Sequence, residues 1–113
     1  MNKFNYQDFV RVTKLEAVTE SSKTNETTNT LMGEPWWAEG FLSYDVEIGQ
    51  TLEMFRIANY NYPGGKFGSF YTSIIEKIDG DKIYTKNSVY LVEKKEFIKE
   101  NYPLFNHTPI GDS

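Results

Sequence analysis

The side chains that most often carry out catalysis are scarce in this chain. It contains one histidine, His107, and no cysteine. A hydrolytic triad needs an imidazole that a third group holds in position, and a structural zinc site needs several histidine or cysteine ligands. His107 lies in a polar C-terminal stretch that offers no such neighbours. We therefore predict no catalytic residues, no metal site and no bound cofactor.

Two further patterns resemble catalytic motifs but have simpler explanations. Glu39, Glu47 and Glu53 offer pairs of carboxylates for acid–base catalysis, although a chain of 113 residues seldom builds the deep cleft that this chemistry needs. The run Gly64-Gly65-Lys66-Phe67-Gly68 is rich in glycine like a phosphate-binding loop, but it lacks the strand–loop–helix context of one. The sequence thus favours a binding protein over an enzyme.

Charge is unevenly distributed along the chain. The net charge is −4, which argues against general binding to a phosphate backbone. Residues 24–55 contain six acidic side chains, no basic one and both tryptophans. An exposed indole surrounded by carboxylates is typical of a hot spot that binds a basic protein. The predicted partner-binding residues are Glu34, Trp36, Trp37, Glu39, Asp45 and Glu47.

This acidic, aromatic region suggests an inhibitor. Enzymes that handle nucleic acids expose grooves lined by Lys and Arg, and a small acidic domain can occupy such a groove in place of nucleic acid. We expect a non-enzymatic protein of this kind, encoded by a phage or mobile element and directed against a host nucleic-acid-handling or defence enzyme. Adjacent strand residues point to opposite faces, so one tryptophan can face outwards while its neighbour enters the core. The alternative is that both rings are buried, one in the core and one beneath a loop.

A second aromatic cluster points to a different class of ligand. Tyrosine and phenylalanine rings in residues 60–71 are interleaved with Asn and Lys, as on barrel faces that stack single-stranded bases or sugar rings. The residues of this alternative platform are Tyr60, Tyr62, Lys66, Phe67 and Phe70. Core packing and loop anchoring also explain such rings. A third interpretation is a structural component of a virion or another assembly.

Short runs of β-branched and aromatic residues predict a mostly β fold. Strands are expected at 9–18, 36–44, 51–58, 70–78, 82–86 and 89–92. The apolar positions of the first strand change parity near Thr13 or Lys14, which indicates a bulge. Asp79-Gly80-Asp81 is a strong hairpin turn. Because sequential strands joined by tight turns pair with their neighbours, we expect one domain over 1–113, a small antiparallel barrel of five or six strands.

The remaining segments lack strand patterns. Residues 19–35 are dominated by Ser, Thr, Asn and Glu, which predicts a long mobile loop. Residues 93–101 are rich in helix formers and are followed by Tyr102-Pro103, where a helix must stop, so we predict a short C-terminal helix there and a tail over 102–113. There is no long apolar stretch and no signal-like N-terminus. The expected location is the cytoplasm, that of a bacterial host cell if a phage encodes the chain.

Two stretches resemble small barrel proteins. The stretch from Val46 to Leu52, VEIGQTL, is similar to the strand–turn–strand step of translation-factor-type barrels. The segment from Thr72 to Tyr90 resembles the closing strands of uncharacterised small barrel proteins of phages and bacteria. The resemblance implies a barrel and no particular activity, because neither stretch carries catalytic residues and the nucleotide-binding loops of translation GTPases are missing.

Overall fold

The computed structural model describes residues 3–18 and 35–106. They contain six antiparallel strands, each paired with the next, and the first also pairs with the last, so the sheet closes into a barrel. The strands are β1 (Phe9–Ala17), β2 (Trp37–Leu42), β3 (Thr51–Asn59), β4 (Gly68–Asp79), β5 (Lys82–Thr85) and β6 (Ser88–Lys94). The predicted mostly β antiparallel barrel is confirmed. In this described part of the chain, no helix has the length and apolar character needed to cross a membrane.

Alternating burial along the strands separates the barrel interior from its outer face. In β1, Val10 and Val12 are fully buried, whereas Arg11 between them is partly exposed. In β3, Met54 is fully buried while its neighbour Phe55 is 48% exposed. Every strand contributes side chains to the core, which fill the interior as in other small barrels. The apolar area that these side chains remove from water is the main force that closes the sheet.

Two β-bulges shift the strand pairing, one between β1 and β6 and one between β2 and β3. The pairing of β1 with β6 shifts between Lys14 and Glu16, close to the predicted bulge. The pairing of β2 with β3 shifts between Glu39 and Gly40. At Gly40 the two strands approach so closely that a Cβ would lie 2.1 Å from the carbonyl oxygen of Phe55. Only glycine fits this contact, and the bulge determines where Glu39 points.

The N-terminal arm before β1 packs against the end of β2. The ring of Phe4 is buried in the core, with 2% of its surface exposed. Its carbonyl oxygen accepts a hydrogen bond from the Val46 amide at 3.0 Å, and the Gln7 amide donates to the Leu42 carbonyl at 2.8 Å. The arm and the segment after β2 therefore form one hydrogen-bonded layer.

The predicted helix over 93–101 is wrong. Glu93 and Lys94 continue β6, and only Lys99–Asn101 form a single 3-10 turn. The predicted tail over 102–113 is also wrong at its start, because Tyr102 is buried and Pro103–Asn106 form one helical turn. Packing outweighs local helix propensity here: an extended backbone carries the Phe97 ring to Phe9, with 5.3 Å between the ring centroids.

Several predicted segments lie outside the described residues. They are residues 19–34 of the predicted mobile loop and residues 107–113 of the predicted tail, which include His107. Of the loop prediction only Pro35 is described, and it is exposed.

Candidate functional site

The two tryptophans lie on opposite faces of the sheet. Trp36 is 2% exposed and packs in the core against Phe70, with 5.3 Å between the ring centroids. Trp37 is on the outer face and partly exposed. Trp36 is therefore withdrawn from the predicted partner-binding set, and the alternative in which both rings are buried does not hold either.

Glu39 is buried rather than displayed, contrary to its predicted role in an acidic surface. Its residue is 6% exposed. One carboxylate oxygen accepts a hydrogen bond from Arg11 Nε at 2.7 Å, and the other accepts one from the Tyr102 hydroxyl at 2.6 Å. A buried carboxylate needs such partners, because its desolvation costs several kcal/mol. Glu39 thus ties β1, β2 and the C-terminal segment together.

Around this ion pair the outer face forms a cleft, which we call the Arg11 cleft. The Arg11 guanidinium lies over the Trp37 ring, 4.1 Å from its centroid. The cleft has a volume of about 470 Å³. Its lining consists of Arg11, Trp37, Glu39, Pro63, Lys95, Glu96, Ile98, Asn101 and Tyr102. Apart from Pro63, the residues that complete it come from the C-terminal segment, where the sequence predicts no site.

The Tyr102 hydroxyl is held in its neutral, donating form. Burial, followed by the hydrogen bond to Glu39 and the negative charge of that carboxylate, raises the pKa of Tyr102 above its ordinary value, and the charge of Arg11 opposes this. A neutral phenol donates to Glu39 at any physiological pH. The Tyr102 hydroxyl therefore remains a hydrogen-bond donor to Glu39 throughout that range.

The other two described residues of the predicted partner-binding set come together at the far end of β2. Asp45 and Glu47 line an open depression of about 520 Å³ together with two tyrosines, Tyr6 and Tyr44. Tyr6 is 61% exposed and Tyr44 is 54% exposed. We call this the acidic depression, and its lining is completed by Ser43 and Gln50. No basic side chain is among these lining residues.

Hydrogen bonds fix the walls of the acidic depression. The Tyr6 amide donates to Asp45 Oδ1 at 2.8 Å, which joins the N-terminal arm to the loop after β2. Gln50 Nε2 donates to Glu47 Oε2 at 2.9 Å. Asp45 and Glu47 belong to the predicted set and the two tyrosines do not. Tyr6 is distant in sequence and reaches the site only through the packing of the arm, whereas Tyr44 directly precedes Asp45. Glu34 of the same set lies outside the described residues.

The alternative aromatic platform is only partly on the surface. Phe70 is 8% exposed and belongs to the core, and Tyr60 packs against that core, so neither supports the platform as predicted. Lys66 Nζ lies over the exposed Tyr62 ring, 4.5 Å from its centroid. Phe67 stacks on Phe55, with 6.1 Å between centroids and 29° between planes.

Among the described residues, no group of three or more acidic or imidazole side chains is arranged to hold a metal ion. Comparison of the chain with protein-family models, with curated proteins and with solved structures finds no match.

Proposed function

We propose that this protein is a non-enzymatic binding domain that holds a basic protein surface against its acidic depression. The observation that carries the proposal is the pairing of charge with aromatic area. Asp45 and Glu47 share an open depression with two tyrosines that are each more than half exposed, and none of the described residues that line it is basic.

The two kinds of side chain have complementary roles in such a contact. Tyrosine and Arg are enriched in binding hot spots, because a tyrosine ring buries a large area at low entropic cost. Carboxylates attract a basic partner and repel an acidic one. They affect the association rate and the specificity more than the affinity. The Tyr6–Asp45 hydrogen bond joins the two walls before binding, which lowers the ordering cost of association.

The partner class that fits is a groove lined by Lys and Arg, as in enzymes that handle nucleic acids. A domain that occupies such a groove competes with nucleic acid, so its effect is inhibition. An inhibitor of a host nucleic-acid-handling or defence enzyme, encoded by a phage or mobile element, is the setting that we propose for this activity. The described acidic residues that support it are Asp45 and Glu47, not Glu39.

The test uses the immobilised full chain and a bacterial lysate, followed by elution with duplex DNA. We expect a nucleic-acid-handling enzyme to be retained, and to be released by DNA and by raised salt. A doubly substituted chain, Asp45→Asn with Glu47→Gln, should retain little of it. The matched control is Glu76→Gln, the same acid-to-amide change at an exposed residue of β4.

Retention that is equal in the double variant and the control would refute the depression as the binding site. A retained protein that DNA does not displace would refute the groove-occupying role, even if Asp45 and Glu47 still mattered.

A second candidate, binding of single-stranded nucleic acid or sugars, rests on the outer face of β3 and β4. Phe55 and Tyr71 are 48% and 68% exposed there, and Phe67 stacks on Phe55. Exposed rings on a barrel face can stack bases, and Lys66, which precedes Phe67 in the chain, can offer a positive charge to a phosphate. This platform replaces the predicted one, since it uses Phe55 and Tyr71 instead of Tyr60 and Phe70.

Fluorescence anisotropy with a labelled oligothymidine tests this candidate, with an oligosaccharide titration beside it. If bases stack on this face, Phe55→Ala and Tyr71→Ala should each weaken binding about tenfold, which corresponds to about 1.4 kcal/mol and falls within the usual value of a stacked base. The absence of measurable binding to the wild-type chain would end this candidate.

A further inference from the structure

The Arg11 guanidinium is fixed at one edge and on one face. Its Nε–H donates to Glu39, and its Cζ lies over the Trp37 ring, 4.1 Å from the centroid. A guanidinium has five N–H donors, and only the Nε–H has an acceptor among the described residues. The side chain is 33% exposed, so donors on the terminal nitrogens are accessible from the Arg11 cleft.

Three neighbouring side chains restrict the orientation of the Arg11 guanidinium. Tyr102 donates to Glu39, Glu39 accepts from the Nε edge of Arg11, and the Trp37 ring lies against the guanidinium. A guanidinium held at its Nε edge presents its two terminal nitrogens as a fork, and the geometry of that fork matches two oxygens of one planar carboxylate. The Arg11 side chain loses its conformational entropy when the protein folds, so ligand binding does not have to order it.

The charges that line the cleft disfavour a ligand with more than one negative charge. Arg11 and Lys95 contribute two positive charges to the lining, and Glu39 and Glu96 contribute two negative ones. Lys95 forms no ion pair among the described residues. Because these described lining charges balance, a bound carboxylate adds one uncompensated negative charge and a dianion such as phosphate adds two, so the smaller charge is favoured.

The walls of the cleft select a flat, apolar body. Trp37, Tyr102, Ile98 and Pro63 line it beside the charged groups. The volume of about 470 Å³ lies within the range of small-molecule sites. We infer that the Arg11 cleft binds a small monocarboxylate with a planar, apolar body, held by the outer edge of Arg11 with Lys95 beside it.

The experiment titrates the full-length chain with benzoate and follows the indole N–H signals by NMR. The chain has two tryptophans, and Trp37→Phe assigns the signals. Benzoate should give a saturable shift of the Trp37 signal. Three probes test its chemistry: benzylammonium has the same ring and the opposite charge, acetate lacks the ring, and phosphate is an oxyanion without a planar body. Each should bind at least about fivefold more weakly than benzoate, which corresponds to about 1 kcal/mol.

Two substitutions test the residues. Arg11→Lys keeps the charge and loses the fork, so benzoate affinity should fall about tenfold. Arg56→Lys is the matched control, because Arg56 is the other arginine of the chain and does not line the cleft; affinity should be unchanged. If Arg11→Lys fails to fold, Lys95→Gln at an exposed residue keeps the test open, with an expected loss of about threefold.

The inference is overturned if benzoate gives no saturable shift at Trp37, if benzylammonium or phosphate binds as tightly, or if the folded Arg11 and Lys95 variants bind like the wild type. It stands apart from the proposed protein partner, because the acidic depression shares no lining residue with the Arg11 cleft.

Discussion

The two ends of β2 carry acidic and aromatic side chains of similar composition, yet they have opposite characters. At the start of the strand, Glu39 is buried and paired with Arg11, and the Trp37 ring is covered by the guanidinium. After its end, Asp45 is exposed and Tyr44 is 54% exposed, in a depression whose described lining contains no basic residue. The difference arises from the elements that pack against each end.

Internal pairing determines what each end can recognise. The start of β2 meets β1 and the C-terminal segment, which supply Arg11 and Tyr102 as partners of Glu39. These bonds hold the Glu39 carboxylate and one edge of the Arg11 guanidinium in place. The end of β2 meets the N-terminal arm, whose Tyr6 amide donates to Asp45, and none of the described residues that line the acidic depression is basic. We propose that this difference lets the two ends of one acidic segment bind different ligands.

The largest effect should come from the glycine that places Glu39. In Gly40→Ala the new Cβ would lie 2.1 Å from the Phe55 carbonyl oxygen, so β2 and β3 must separate. We expect a loss of about 3 kcal/mol or more in the free energy of unfolding, measured by urea denaturation. Gly49→Ala is a useful contrast, because a Cβ there meets nothing within 4 Å and the cost comes only from its positive φ of 91°. Equal losses in the two variants would show that the β2–β3 contact is looser than described.

The same acid-to-amide change at the two ends of β2 should have different effects on stability. Glu39→Gln removes a buried charge that accepts hydrogen bonds from Arg11 and Tyr102, and we expect it to cost about 2 kcal/mol of unfolding free energy. Glu47→Gln changes a partly exposed residue of the acidic depression and should cost less than about 0.5 kcal/mol. Thermal unfolding of both variants, at the same pH and salt, measures the two losses of stability. A larger loss for Glu47→Gln would contradict the description of Glu39 as the buried, paired carboxylate.

A smaller and pH-dependent effect is expected for Tyr102→Phe. The hydroxyl bond to Glu39 should contribute about 1–2 kcal/mol at neutral pH. The pKa of Tyr102 is raised above its ordinary value of 10.0, first by burial and then by Glu39. The folded state therefore favours the protonated phenol, so this stabilisation is complete below pH 10 and declines as the pH rises above it. Unfolding free energies at pH 8 and pH 11 should show the wild type and the variant converging; a gap that widens with pH would contradict the account.

The barrel could be predicted from sequence because its signals are local. The Asp79-Gly80-Asp81 turn and the alternation on either side of it correspond to the β4–β5 hairpin, in which Asp79 pairs with Lys82 and Gly80 has a φ of 61°. The change of parity near Lys14 corresponds to a real shift in register. Each of these features depends on residues a few positions apart.

The sites could not be predicted to the same degree, because their decisive contacts are distant in sequence. Glu39 pairs with Arg11 and with Tyr102, which lie 28 and 63 residues away. No property of the acidic segment itself distinguishes Glu39 from Glu47. The predicted helix over 93–101 is wrong for the same reason. Its helix-forming residues are held extended by the packing of Phe97 on Phe9 and Phe41.

The most direct test of the difference between the two ends of β2 is an NMR titration of the ¹⁵N-labelled wild-type chain with a short Arg-rich peptide. We predict salt-sensitive shifts of the amide signals of Tyr6, Tyr44, Asp45 and Glu47, while the Trp37 indole signal remains in place. Shifts concentrated at Trp37 and Glu39, with the signals of the acidic depression unchanged, would contradict the proposal that a basic partner binds this depression.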